Sequence, residues 1–118
     1  MATTYRIQIS ISPLSATEAD RVLAAVRSAW MSPSFVHRQP IDNAWLLVVR
    51  HESGLRQNES PDWFAERLAA AIWQSLGRYV RIAFDLAPHE APDGRVTIFD
   101  EDAYWRILRS FRMAPHFR

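Results

Sequence analysis

Hydrophobic residues recur along this chain in two rhythms. Tyr5, Ile7, Ile9 and Ile11 alternate with Arg6, Gln8 and Ser10, the period of a strand that buries one face. Pro13 is expected to end that strand. Ser15 and Glu18 then form a capping box, and Ala19, Val22, Leu23, Val26, Ala29 and Trp30 follow at three- and four-residue steps, which predicts a helix from about Ala16 to Trp30. Ser32-Pro33-Ser34 breaks the rhythm. Phe35 to Arg38 reads as a short edge strand, and Pro40 to Asn43 carries turn chemistry. Ala44 to Arg50 is the most apolar run in the chain. One side of that third strand must meet the helices, so the other, carrying Leu46 and Val48, needs a cover of its own.

After a polar loop from His51 to Glu59, Ser60, Pro61 and Asp62 read as N-cap, first helical position and first-turn acid: serine accepts an orphan amide hydrogen and proline has none to waste. Phe64, Leu68, Ala71, Ile72 and Leu76 line one face of the helix they open, and Gly77 supplies the left-handed backbone that ends it. Val80, Ile82, Phe84 and Leu86 return to the strand period. Ala87 to Arg95 is a loop, Val96 to Phe99 a short fifth strand, and Asp100 caps a last helix with Tyr104, Ile107, Leu108 and Phe111 on one side.

Strand, helix, strand, strand, helix, strand is the order of an α+β, ferredoxin-like βαββαβ sandwich, with both helices on one face of an antiparallel sheet. Residues 1–86 make this core. Residues 87–118 add a loop, the short strand and the C-terminal helix, all within one domain. The apolar second face of strand three is expected to lie under that last helix or under a second subunit, so a homodimer through the sheet face is one outcome.

Composition narrows the chemistry. A formal charge of +1 sets up no field that would draw in a polyanion, so nucleic acid is not implied. Cysteine is absent, which excludes disulfides, thiolate metal sites and thiol nucleophiles. All fourteen basic residues are arginine, which reads as compositional bias and also excludes a Schiff-base or Walker lysine. Three glycines cannot make a glycine-rich phosphate loop. Met1 to Arg6 lack the apolar core of a signal peptide, and no run approaches the roughly 20 residues of a membrane span, so the expected setting is cytoplasmic, away from membranes.

No cofactor or metal is expected, because His37, His51, His89 and His116 are scattered without ligand spacing. His37 and His51, the latter beside Glu52, lie on neighbouring strands and make an alternative polar site, although a regular hairpin about Pro40 to Asn43 would pair His37 nearer Leu46 than His51. Trp63 and Trp105 fall beside the apolar stripes of their helices, a position that suits either an exposed aromatic anchor at an interface or packing within the chain. Asp85 to Asp102 carries six acids against Arg95, whereas Tyr104 to Arg118 carries four arginines and no acid. An RNA-binding module is disfavoured by the composition of strand three.

The expected function is thus a small non-catalytic protein-interaction domain of the immunity, adaptor or regulatory type. It would bind a protein partner through Trp63, Asp100, Glu101, Asp102, Trp105, Arg106, Arg109 and Arg112. The alternative is a dimeric α/β-barrel enzyme or small-ligand binder with a pocket between paired sheets. Its chemistry would fall to His37, His51, Tyr5, Arg6 or Asp85.

Overall fold

A computed structural model describes residues 3–91 and 94–112, with side chains through Ser110. It is a mixed α+β structure in which β1 (Tyr5–Leu14), β2 (Phe35–Ile41), β3 (Ala44–Ser53), β4 (Arg81–Pro88) and β5 (Arg95–Phe99) form one antiparallel sheet in the order β2-β3-β1-β4-β5. The helices are α1 (Ala16–Ala29), α2 (Pro61–Leu76) and α3 (Glu101–Arg112). The fifth strand at the β4 edge makes the sheet larger than a simple four-stranded ferredoxin sheet. No helix among the described residues is long and apolar enough to cross a membrane.

The helix boundaries follow from local chemistry. Ser15 Oγ accepts from the Glu18 N–H at 3.1 Å, and Glu18 Oε1 accepts from the Ser15 N–H at 3.0 Å, closing the box that starts α1. Ser60 Oγ accepts from the Trp63 N–H at 3.0 Å to start α2. Gly77 ends α2 at φ 75°, a left-handed conformation that costs glycine no Cβ clash. Asp100 Oδ1 accepts from the Ala103 N–H at 2.9 Å and caps α3.

The strands outrun their apolar patterns. β1 continues through Pro13 to Leu14, with proline seated where the register against β3 shifts between Ile11 and Leu14. β2 runs on to Ile41 because an edge strand tolerates Pro40, and the turn contracts to Asp42-Asn43, Asp42 at φ 54°. β3 keeps pairing as far as Ser53, where His51, Glu52 and Ser53 still face Ile7, Arg6 and Tyr5.

One continuous core lies between the sheet and the helices. Ile7, Ile9 and Ile11 of β1, Leu47 and Val49 of β3, and Ile82 and Phe84 of β4 meet Val22 and Val26 of α1 and Phe64, Leu68, Ile72 and Trp73 of α2. The third helix joins the same layer: Tyr104, Ile107 and Leu108 are buried, and the Tyr104 ring lies 5.1 Å from that of Trp73. The last helix therefore does not cover the second face of the sheet. Its apolar stripe finds β5 and α2 instead.

A polar staple closes the end of the sheet beside α1. Arg78 donates to Glu18 Oε2 at 2.8 Å, to Glu18 Oε1 at 2.7 Å and to the Pro13 carbonyl at 2.9 Å. The Arg78 fork, with the Ser15 N–H behind it, holds the Glu18 carboxyl down at about 2 against an ordinary 4.5. A carboxyl depressed in the folded state adds stability above its unfolded pKa and loses it as the pH falls through the folded one. The contribution should therefore be complete at pH 6 and fade between about 4.5 and 2. With the Arg78 side chain 43% exposed, solvent screening discounts it to about 1 kcal/mol. Urea midpoints of the wild type and Arg78→Ala should differ by that amount at pH 6 and converge towards pH 2. A gap that stays constant over that range would contradict the assignment.

Candidate functional site

Alternation sends every second residue of the sheet away from the helices, and register decides which of them meet. Phe35, Arg50, Gln8, Asp85 and Val96 form one row across β2, β3, β1, β4 and β5. His37, Val48, Ser10, Ala83 and Ile98 form the next. The face is apolar at its two margins and polar along β1, whose outward residues are Arg6, Gln8, Ser10 and Ser12. Leu46 and Val48 lie on it, half-buried and outside the main core. Phe35 is 40% exposed, Ile98 49% and Val96 61%, so the margins are where apolar surface remains to be covered.

A concavity of about 450 Å³ opens on this face, with Arg6, Gln8, Phe35, Arg50, Glu52 and Asp85 among its lining. Arg50 lies across it. Its Nε donates to Gln8 Oε1 at 2.6 Å, and its guanidinium carbon sits 4.6 Å from the centre of the Phe35 ring. Arg6 donates to the Ala91 carbonyl at 2.7 Å and so pins the loop after β4 at the rim. Glu52 pairs with His89 at 3.5 Å on the same rim. The Asp85 carboxylate has no hydrogen bond or ion pair among the described residues. Gly94 lies beside it, and an added Cβ there would collide with Asp85 Oδ1. Paired donors and a free carboxylate a few residues apart can hold a small polar molecule, with Phe35 as an apolar wall.

The residues singled out from the sequence are dispersed. His37 shares the open face with Glu52, its ring 6.3 Å from that of Phe35. His51 points to the opposite face, where its Nδ1 accepts from the Ser34 N–H at 3.0 Å and its ring meets Trp30 edge-on at 5.7 Å. The sheet therefore separates His37 from His51. No group of three His, Asp or Glu side chains that could hold a metal ion occurs among the described residues. Tyr5 lies on the helix side with Ile7.

The other set lies on the far side of the molecule. Trp63 and Trp105 are 50% and 51% exposed on α2 and α3. Arg106 pairs with Glu66 at 3.3 Å, bridging the two helices, and Asp100 is occupied as the α3 cap. Glu101, Asp102 and Arg109 are exposed. Arg112 belongs to α3, and its side chain, like that of Phe111, lies outside the described residues, as do Asp93 and His116 altogether.

Sequence reasoning missed Arg50, Gln8 and Phe35. Their one signal is that each occupies an outward position of its strand, and only the register aligns them. A comparison of the chain with known protein families, with curated proteins and with solved structures finds no match.

Proposed function

We propose that the chain works as a homodimer whose sheets pack open face to open face and hold a small polar ligand between them, in the manner of a dimeric α/β barrel. The observation that carries this reading is the position of α3: it packs against α2 and β5 on the helix side, so no described element shields Leu46, Val48, Val96 or Ile98 from the other side. The second sheet would roof the concavity over Arg6, Gln8, Arg50 and Asp85 and strengthen each polar contact inside it. A ferredoxin-like core fits the order β2-β3-β1-β4 and the shared face of α1 and α2, with β5 and α3 as an addition at the β4 edge. Sedimentation velocity should show a concentration-dependent dimer. A strict monomer at the highest soluble concentration would remove the reading.

A second reading rests on Trp63 and Trp105, half-exposed beside the acidic start and basic end of α3. In it the domain captures a protein partner, as an adaptor, regulatory or immunity protein does, through the α2–α3 flank. Trp105→Ala or Glu101→Arg should then weaken partner capture from the native cell without unfolding the domain. Unchanged capture by both variants would eliminate it.

A further inference from the structure

The row of the open face that passes through Gln8 is complementary to itself about an axis along β1. β1 is the middle strand of five, with Arg50 on one flank and Asp85 on the other in the row that passes through Gln8. A two-fold rotation about a line along β1 exchanges β3 with β4 and β2 with β5. In the row through Gln8 it sets positive on negative and margin on margin, while Arg6, one row away on the axis itself, meets its own copy with its guanidinium turned aside to the Ala91 carbonyl. A two-fold axis across the strands at the same row would instead set arginine on arginine and aspartate on aspartate, a like-charge contact repeated at each end.

We propose that two copies of this chain pair about the axis along β1, so that Arg50 of each faces Asp85 of the partner subunit. The inference rests on the sheet-pairing reading above and gives it a geometry. Phe35 then meets Val96 of the partner subunit, His37 meets Ile98 of the partner subunit, and the Gln8 side chains meet at the axis. Both charged groups are placed for it. The Asp85 carboxylate has no hydrogen bond or ion pair among the described residues, and its Oδ1 rests against Gly94 where a Cβ would collide with it. Among the described residues Arg50 uses only its Nε, on Gln8, while Phe35 holds its plane, so the two terminal nitrogens remain for a carboxylate.

The drive comes from the apolar margins, and the crossed ion pairs select the axis, since desolvating a pair cancels much of its attraction. Five strands at about 4.8 Å spacing and a few outward rows cover on the order of 600 Å² per copy. That falls somewhat under the ~800 Å² per partner of a standard interface, so the dimer should dissociate on dilution. Arg50 and Asp85 are then spent on each other across the seam, which leaves Arg6 and Glu52 as the charged groups of the concavity that face a ligand.

The test is a charge exchange read by sedimentation. Arg50→Asp alone and Asp85→Arg alone each place like charges at both crossed contacts, and each should self-associate at least about tenfold more weakly than the wild type. Mixed in equal amounts, the two variants should form a heterodimer of near wild-type affinity, because the acidic row of one meets the arginine row of the other. Recovery on mixing also shows that both variants are folded. If the wild type dimerises but either single variant does so equally well, or the mixture is no tighter than its components, the axis is overturned and sheet pairing stands. A monomeric wild type overturns both.

Discussion

Replacing Trp73 with alanine should destabilise the fold by about 3–5 kcal/mol, the cost of deleting a large buried ring together with the cavity it leaves. Trp73 is fully buried, and three further aromatic rings depend on it: Tyr79 at 6.2 Å, Phe99 at 6.1 Å and Tyr104 at 5.1 Å. Its Nε1 donates to the Val80 carbonyl at 2.9 Å, fixing the start of β4 against the end of α2. The ring is also the platform for α3, so hydrogen exchange in α3 should accelerate in any fraction that stays folded. Trp73→Phe keeps most of the volume and loses the hydrogen bond, so about 1–2 kcal/mol is expected. Trp105→Ala, at a half-exposed site where the ring still meets Tyr104 at 4.9 Å, should cost about 1 kcal/mol. Urea unfolding of the three variants checks the ranking, and a Trp73→Ala loss no larger than that of Trp105→Ala would contradict it.

The second large effect is expected at a shielded ion pair. Arg67 donates to Glu59 Oε2 at 2.8 Å and to Oε1 at 3.3 Å, with side-chain exposures of 14% for the arginine and 3% for the glutamate. Its remaining nitrogen donates to the Ala29 carbonyl at 2.6 Å, one of the orphan acceptors at the end of α1. One side chain thus ties the loop before α2 to both helices. Arg67→Ala leaves a nearly buried carboxylate without its counter-charge, for which about 3–5 kcal/mol is the usual loss. Removing both charges by Glu59→Met with Arg67→Leu should recover most of it, because a pair of this kind gains little over apolar contacts of similar volume. Denaturant titration of the single and double variants completes the cycle. A double variant as unstable as Arg67→Ala would show that the carboxylate was not the source of the cost.

How much of this was legible in the sequence depends on the distance over which each feature is decided. Ser15 with Glu18, Ser60 with Pro61, Gly77 and Asp100 act within one helical turn, and each cap stands where the residue types place it. The alternation of β1 and β4 and the outward position of Leu46 and Val48 were legible for the same reason. Strand ends were not, because His51, Glu52 and Gln39 are held by cross-strand partners rather than by their own apolarity. The side on which α3 packs was also hidden: Tyr104, Ile107 and Leu108 make a stripe that suits any apolar surface. The open-face site was visible only in fragments. Arg6 and Asp85 could be named singly, whereas the row through Arg50, Gln8 and Asp85 exists only once three strands are in register.

The central claim is that the open face is where two copies meet, and an isotope-filtered NOE experiment on a mixture of ¹³C-labelled and unlabelled protein tests it most directly. Intermolecular cross-peaks are expected from the Phe35 ring to the Val96 methyls and from the His37 ring to the Ile98 methyls. Cross-peaks joining Val96 only to Val96, or a dimer with none from this face, would contradict the account.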